Sequence, residues 1–182
     1  MREQVEPGLP LTLVPFRPED GPALTRWVRS VDEAFRWASL DHLPTLDDLE
    51  RWHSQPYATP YVLINGQDAV GYGEVWDDGE EDRDEDEAEL ARLVIAPDQR
   101  GRGLGRALTR ALADEAWRRG VAEVWLRVVE DNLPARRAYG AAGFVRATPE
   151  EEDAFNAGQR RVYVWMRDAR GPHPRGDPDP SA

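Results

Sequence analysis

Apolar and polar residues follow one another along the 182-residue chain in a pattern that predicts seven short strands and four helices. The strands are expected over residues 9–14, 61–64, 69–76, 89–95, 123–129, 144–147 and 161–167. The helices are expected from residue 18 to 31, from 45 to 52, over 104–119 and over 134–142. Asn65-Gly66 separates the second and third strands and is typical of a tight hairpin turn. The order of the elements predicts a mixed α/β sheet whose first half is antiparallel.

A single domain is expected over residues 1–168, because the chain has the length of one domain and shows no internal repeat. The last thirteen residues contain four prolines and two glycines with almost nothing apolar. Such a segment cannot bury enough surface to order itself. Residues 169–182 are therefore expected to form a disordered tail.

The composition excludes several classes of protein. There is no cysteine, which excludes disulfides, thiolate zinc sites, iron–sulfur clusters and cysteine nucleophiles. All 23 basic residues are arginine, so Schiff-base chemistry and the phosphate-loop lysine of nucleotide hydrolases are excluded as well. The three histidines are scattered along the chain without metal-ligand spacing, and no metal site is expected.

Charge and hydropathy narrow the set of partners. The 35 acidic residues leave a net charge of −12, which disfavours binding to nucleic acid. The apolar runs are far shorter than the roughly 20 residues of a membrane span, and the first residues have no hydrophobic signal region. We therefore expect a cytoplasmic protein with no membrane partner, either a monomer or a homodimer.

A glycine-rich segment lies between the fourth strand and the third helix. Its three alternating glycines are Gly101, Gly103 and Gly105. At the start of a helix the backbone N–H groups are free, and glycine lets a phosphate approach the main chain. Three arginines crowd the positive end of the helix dipole, which is unfavourable unless an anion compensates it; they are Arg100, Arg102 and Arg106. The spacing differs from the G-x-G-x-x-G of dinucleotide folds, so the segment predicts a phosphate site of another kind.

Two motifs in this chain match known sequence signatures. Arg100-Gly101-Arg102-Gly103-Leu104-Gly105 fits the signature R/Q-x-x-G-x-G/A. The spacing N-x-x-A-x-x-x-Y-x-x-x-G-F is matched by Asn132, Ala135, Tyr139, Gly143 and Phe144. In both motifs the chain resembles the GCN5-related N-acetyltransferases, the GNAT family. The resemblance covers about residues 9–167 and is densest over 89–144. It implies an α/β GNAT fold, with a mixed, mostly antiparallel sheet that is splayed between its fourth and fifth strands and flanked by about four helices.

The resemblance also implies acetyl-CoA as the cosubstrate, wedged into the gap between those two strands. The pantetheine arm would pair, like an extra strand, with the backbone of Leu93, Val94 and Ile95. The pyrophosphate would be held by backbone amides of the glycine-rich segment, namely those of Arg100, Gly101, Arg102, Gly103, Leu104, Gly105 and Arg106. Asn132 and Ala135 would complete the cofactor site.

Tyr139 resembles the general acid of the family, which protonates the thiolate that leaves after acetyl transfer. The phenol has a reference pKa of about 10 and the thiol one of roughly 8.5, so the proton transfer is only mildly uphill. Taken alone, a tyrosine on a short helix is as often a core aromatic with its hydroxyl at the surface.

Glu89 is the candidate general base. It lies eleven residues before Arg100, the offset at which the histone-acetylating branch of the family carries its catalytic glutamate. On a regular strand Glu89 shares a face with Ala91, Leu93 and Ile95. Glu89 could instead simply close an acidic run, and Glu74 on the preceding strand and water are the alternative bases.

These residues predict an acetyl-CoA-dependent N-acetyltransferase that acts on a small-molecule or peptide amine by direct transfer in a ternary complex. A non-catalytic protein that binds or senses acyl-CoA is the alternative. Arg127 stands where the ribosomal-protein branch has a glutamate, which argues against that branch.

Residues 77–89 hold ten acids and one arginine, and residues 150–153 add four acids before the last strand. This charge predicts either a cationic acceptor or only a solvated segment that keeps the protein soluble.

Overall fold

The computed structural model describes residues 10–77 and 87–171. Seven strands form one sheet in the order β1-β2-β3-β4-β5-β7-β6. Their bounds are β1 Leu11–Pro15, β2 Ala58–Asn65, β3 Asp68–Trp76, β4 Glu87–Ile95, β5 Glu123–Val128, β6 Phe144–Arg146 and β7 Val164–Asp168. All neighbouring strands are antiparallel except β4 and β5, which run parallel. The predicted mixed, mostly antiparallel sheet is confirmed.

The sheet opens between β4 and β5. Their pairing runs from Glu87 opposite Glu123 to Leu90 opposite Leu126 and ends there, although β4 continues to Ile95. Beyond Leu90, β4 keeps its partner β3 on one side only, while β5 pairs with β7. Within the described residues, the backbone groups of β4 that face β5 therefore lack a strand partner along this stretch, which is the splay that the family resemblance implied.

Six α-helices are described: α1 Gly21–Trp27, α2 Val31–Ala38, α3 Leu46–His53, α4 Leu104–Arg118, α5 Leu133–Ala141 and α6 Pro149–Asn156. Two of them were not predicted as separate helices. Val28 is extended, and the side chain of Ser30 accepts a hydrogen bond from the amide of Glu33, so a new helix, α2, begins there. Residues 150–153, predicted as a loop, lie in α6 because Thr148 and Glu151 form a capping box.

The helices cover the two faces of the sheet differently. On the first face α4 and α5 pack over the main core, which includes Leu90, Leu108, Leu112 and Leu126. On the second face α1, α2 and α3 cover the β1–β3 side, and α6 covers the β5–β7 side around Trp125 and Trp165. The part of the second face that lies between these two groups of helices is called the trough below.

The segment predicted as a tail begins at residue 169, and residues 169–171 hydrogen-bond to the domain. The amide of Ala169 donates to the carbonyl of Gly143 at 3.1 Å. The guanidinium of Arg170 binds the buried carboxylate of Asp168 and also Asp114. Residues 172–182 lie outside the described part of the chain.

Truncation after Gly171 is expected to leave the melting temperature unchanged, because the Pro-rich remainder offers little apolar surface for docking. Truncation after Ala169 removes Arg170 as well. Arg170 is half-exposed, and the buried carboxylate of Asp168 keeps its contacts with Arg110 and Trp117. The loss of Arg170 should therefore lower stability by about 1 kcal/mol, or roughly 2–4 °C in melting temperature. Differential scanning fluorimetry of both truncated chains measures this, and equal melting temperatures would show that Arg170 contributes nothing.

Candidate active site

The glycine-rich segment forms an anion-binding helix start. Gly101 and Gly103 both have positive φ angles, +78° and +79°, which only glycine adopts without strain. Gly103 is the N-cap of α4 and no side chain caps the helix. The amide of Ala107 makes the first helical hydrogen bond, to the carbonyl of Gly103 at 3.2 Å. The preceding amides have no intrahelical partner and are available to a phosphate.

The three arginines of this segment differ in where their side chains lie. Arg100 turns away from the helix start. Its Nη1 donates to Oε1 of Glu33 at 2.8 Å and its Nη2 donates to the carbonyl of Trp27 at 3.2 Å. Burial by itself would raise the pKa of Glu33, but hydrogen bonds from the Arg29 amide and from Arg100 lower it. Glu33 is thus the anion that compensates Arg100.

Arg102 and Arg106 remain at the surface beside the glycines. Nη1 of Arg102 donates to the side-chain oxygen of Gln99 at 3.2 Å. Arg106, in the first turn of α4, is exposed. The guanidinium groups of Arg102 and Arg106 therefore place positive charge near the free amides, as the sequence predicted. The side chain of Arg100 is engaged by Glu33 and Trp27, so only its backbone remains for the phosphate site.

A bulge in β4 changes which side chains share a face. Arg92 has a φ of +50°, and the register against β3 shifts between Tyr72 and Glu74. Leu93 and Ile95 therefore pack on the first face beneath α4, whereas Ala91 packs beside Trp76 on the second. The expectation that Glu89 and Ala91 share a face with Leu93 and Ile95 is wrong, because the extra residue reverses the alternation.

The second motif lies on α5 and next to the start of α4. Asn132 is the N-cap of α5, and its Oδ1 accepts a hydrogen bond from the amide of Ala135 at 3.3 Å. A Cβ added to Gly105 would lie 3.3 Å from Cβ of Ala138, so this glycine permits a close approach of α4 to α5. The two motifs, far apart in sequence, are therefore neighbours in the fold.

Tyr139 is buried in the main core, and burial raises its pKa to about 12. Its hydroxyl has no hydrogen-bond partner within residues 10–77 and 87–171. The raised pKa makes the phenol a weaker acid than its reference value suggests, but it also keeps the proton in place at any physiological pH.

Glu74, the alternative base, lies on the floor of the trough and is fully buried. Its Oε1 accepts a hydrogen bond from the hydroxyl of Tyr72. Its Oε2 accepts from Nε1 of Trp76 and from Nη1 of Arg92, both at 2.6 Å. Burial, and after it the charge of Glu74, raises the pKa of Tyr72 well above its usual range. Three donors hold this carboxylate in place.

Glu89 lies beside it on the trough floor. The side chain is 3% exposed, and Nε of Arg127 is 3.1 Å from its Oε1. Each candidate base is thus paired with an arginine, Glu74 with Arg92 and Glu89 with Arg127. Sequence reasoning singled out Glu74, Glu89 and Arg127 but not these pairs, because the bulge that brings Arg92 to Glu74 has no signal in the local pattern.

Several acids of the two acidic segments lie within the described residues and already form ion pairs or cap a helix. Asp77 forms an ion pair with Arg119, 2.6 Å from Nη1. Glu151 caps α6, and Glu152 receives two hydrogen bonds from Arg146 at 2.8 Å, which with other contacts lower the pKa of Glu152. Most of the acidic run, residues 78–86, lies outside the described residues.

The described residues hold neither a candidate metal site nor a helix that could span a membrane. Residues 10–77 and 87–171 contain no group of three or more His, Cys, Asp or Glu side chains that could hold a metal ion. In the same residues no helix is both long and apolar enough to cross a bilayer.

The model of the acetyltransferase (GNAT) family matches residues 24–144, more than half of the chain. This chain therefore belongs to the GNAT acetyltransferase family. The solved structure of the aminoglycoside acetyltransferase AAC(6')-Ib in complex with coenzyme A and kanamycin is similar, with 26% identity and a TM-score of 0.67 over 87% of this chain and 94% of that one. A spermidine N-acetyltransferase from Vibrio cholerae, with a TM-score of 0.64 over 86% of this chain and 92% of that one, is 19% identical and supports the fold alone.

Curated proteins also match this chain. The [ribosomal protein bS18]-alanine N-acetyltransferase of Escherichia coli strain K12 is 46% identical over 63 residues, 35% of this chain and 43% of that protein. The chain thus spans less than half the length of the first curated relatives that it matches. The aminoglycoside N(6')-acetyltransferase type 1 of Klebsiella pneumoniae is 27% identical over 163 residues, 79% of this chain and 80% of that protein. The expectation from Arg127 that the chain lies outside the ribosomal-protein branch stays a prediction.

Proposed function

We propose that this protein transfers the acetyl group of acetyl-CoA to an amine, by direct attack of the amine on the thioester within a ternary complex. The observation that carries this proposal is the uncapped start of α4, which meets the end of β4 where the sheet has opened. Free amides at that helix start suit a pyrophosphate, and an unpaired strand edge suits the amide groups of a pantetheine arm. Relatives crystallised with coenzyme A support the same ligand.

The cofactor would lie along the splay. Backbone amides from Arg100 to Arg106 hold the pyrophosphate, with the Arg102 and Arg106 side chains adding positive charge. We place the pantetheine arm against the backbone of Leu93, Val94 and Ile95, since no described strand pairs with these residues on the β5 side. The carbonyl of Ile95 accepts a hydrogen bond from Nε of Arg100 at 3.1 Å. Asn132 caps α5 through its side chain, and we place it with Ala135 beside that arm.

Acetyl transfer needs a proton removed from the acceptor ammonium and one delivered to the leaving thiolate. The amine forms a bond to the thioester carbonyl carbon, the carbon–sulfur bond breaks, and Tyr139 donates its hydroxyl proton to sulfur. Glu89, acting through water, accepts the proton of the ammonium. No cysteine is present to carry an acetyl group, which favours direct transfer over a covalent intermediate.

Release of free thiol from acetyl-CoA, followed with a panel of amines, tests the proposal. The panel covers amino acids, peptide N-termini, polyamines and aminoglycosides. Thiol release that depends on the amine, together with an acetylated product in the mass spectrum, is the expected result. Stabilisation by acetyl-CoA without turnover of any amine would contradict it and favour a binding protein. The cytoplasmic location and the oligomeric state stay predictions from the sequence.

Replacing Glu89 by glutamine is expected to remove the acidic limb of the pH–rate profile. A general base must be deprotonated to act, so in the unmodified protein the rate falls as the pH falls through the pKa of that base. Glutamine cannot titrate, and the remaining slow rate should no longer follow that limb. The matched variant Glu74→Gln should keep it, and a limb that survives in Glu89→Gln but not in Glu74→Gln would move the role to Glu74.

A further inference from the structure

Arg127 lies at the point where the sheet opens. It follows Leu126, the last residue of β5 that pairs with β4, and it is opposite Trp165 on β7. Its Nε contacts Glu89, whose side chain is 3% exposed, whereas the side chain of Arg127 is 24% exposed. A molecule that enters the trough therefore meets the guanidinium before it meets the carboxylate beneath.

The guanidinium of Arg127 is poorly placed for hydration and well placed to bind. Its carbon lies 6.0 Å, 5.2 Å and 5.4 Å from the ring centroids of Trp76, Tyr163 and Trp165. These rings orient the group and exclude part of its water. In the described residues neither Nη atom of Arg127 has a hydrogen-bond partner. Two parallel N–H donors are thus left, which is the geometry that a carboxylate accepts.

Arg92, another arginine of the trough, also lies over aromatic rings, but one of its Nη atoms is already hydrogen-bonded to a carboxylate. Its guanidinium carbon lies 4.1 Å from the ring centroid of Trp52 and 4.8 Å from that of Trp76, and it donates to Glu74. The side chains of Arg92 and Glu74 are 15% and 0% exposed. In both pairs, Arg92–Glu74 and Arg127–Glu89, the arginine is more exposed than its carboxylate. In the described residues, the floor of the trough therefore exposes N–H donors to a ligand, and not the negative surface that the acidic segments suggested.

Arg127 is too far from the helix start to serve the cofactor's pyrophosphate. Its partner Glu89 lies six residues before Ile95, the end of β4. Six residues of strand span roughly 20 Å. The open N–H donors of Arg127 therefore face the acceptor's side of the splay.

Resting on the proposed function, we propose that Arg127 binds a carboxylate of the acceptor, and that the substrates are amines that carry a carboxylate near the reacting nitrogen, as amino acids do. Glu89 acts on this step as a positioning residue, because its contact with Nε fixes the plane of the guanidinium and leaves both Nη groups to the acceptor. Discrimination comes from the charge-assisted pair of hydrogen bonds, which the amide of the same compound cannot replace.

Matched pairs of acceptors test the proposal. The compounds are L-phenylalanine, L-leucine and L-alanine, each compared with its carboxamide, and spermidine and kanamycin serve as cationic acceptors without a carboxylate. We expect kcat/KM for the carboxylates to exceed that for the carboxamides by about tenfold or more. Equal values within the pairs, or faster acetylation of the two cationic compounds, would overturn the proposal.

Substitution of Arg127 assigns the preference to this residue. In Arg127→Gln the ratio of carboxylate to carboxamide should fall close to one. Because the change leaves Glu89 buried without this guanidinium, the double variant Arg127→Gln/Glu89→Gln is measured beside it, and the ratio should fall there too. The control Arg118→Gln removes the same charge from an exposed site at the end of α4 and should keep the ratio. A ratio that survives in both Arg127 variants contradicts the proposal, as does a change confined to the KM for acetyl-CoA.

A binding measurement separates this inference from the proposed function. Isothermal titration calorimetry with coenzyme A present compares N-acetyl-L-phenylalanine with N-acetyl-L-phenylalaninamide, which need no turnover to bind. Tighter binding of the acid, lost in Arg127→Gln, supports the site even if no amine is acetylated. Acetylation of amines with no preference for the acid in either assay supports the proposed function and refutes the role of Arg127.

Discussion

Replacing Tyr139 by phenylalanine is expected to lower kcat by about tenfold to a thousandfold, the range for loss of a general acid. The hydroxyl is the only group removed, and the ring that packs in the main core is kept. Within the described residues that hydroxyl serves no other hydrogen bond, so its loss should leave the melting temperature and the KM for acetyl-CoA nearly unchanged. Steady-state kinetics with saturating acetyl-CoA measure the effect.

The pH dependence gives this prediction a second readout. Burial raises the pKa of Tyr139 to about 12, so the phenol stays protonated up to roughly pH 11. A fall in rate at any lower pH comes from another group and should persist in Tyr139→Phe. Tyr61→Phe is the control, because Tyr61 lies on β2 and its hydroxyl hydrogen-bonds to Glu115 in α4 and to Arg119, the C-cap of that helix. An unchanged kcat in Tyr139→Phe would mean that water protonates the thiolate.

Replacing Gly103 by valine is expected to abolish stabilisation by acetyl-CoA. At a hundredfold excess over Kd, ligand binding contributes about 2.7 kcal/mol, or roughly 5–10 °C for a chain of this size. Apart from its chain neighbours, a Cβ at Gly103 would meet no atom of the described residues within 4 Å, so a side chain there projects into the space beside the free amides. The melting temperature with and without acetyl-CoA is the measurement.

The chain contains a matched control at the other end of α4. Gly120 also has a positive φ, +91°, and a Cβ there would likewise meet nothing within 4 Å. Gly120→Val imposes the same backbone strain, so both variants should lose similar intrinsic stability, while only Gly103→Val should lose the shift with acetyl-CoA. An equal shift in the two variants would contradict the phosphate site.

Local signals predicted the parts of the fold that depend on neighbouring residues. A hairpin does connect β2 to β3 where Asn65-Gly66 predicted it, although Asn65 ends β2 and the turn itself is Gly66-Gln67. The helix predicted over residues 104–119 is α4, which ends at Arg118. The boundary between α1 and α2 was missed because Val28 continues the helical spacing of apolar residues while its backbone is extended. Tertiary contacts there outweigh the pattern.

In the candidate site, too, features that depend on neighbouring residues were predicted, and features that depend on distant contacts were not. Local spacing singled out the glycines, and the family resemblance singled out Tyr139, since both motifs consist of residues close in sequence. The direction of the Arg100 side chain depends on Glu33, 67 residues away, and no local pattern reports it. The bulge at Arg92 depends on how β3 and β4 align, which also reversed the predicted face of Glu89 relative to Leu93. Contacts between distant strands decided what the sequence left open.

Arg92 and Arg127, the two arginines that the structure describes in the trough, are guanidinium groups, and this has a consequence for the proposed transfer from a reactive thioester. A guanidinium remains protonated at every pH that the protein meets and does not attack an acyl carbon. A lysine at either place would be a primary amine, which the proposed chemistry could acetylate, with a fraction of its molecules uncharged near neutral pH. The trough therefore supplies positive charge without offering a competing acceptor, and an Arg127→Lys chain should become acetylated on itself.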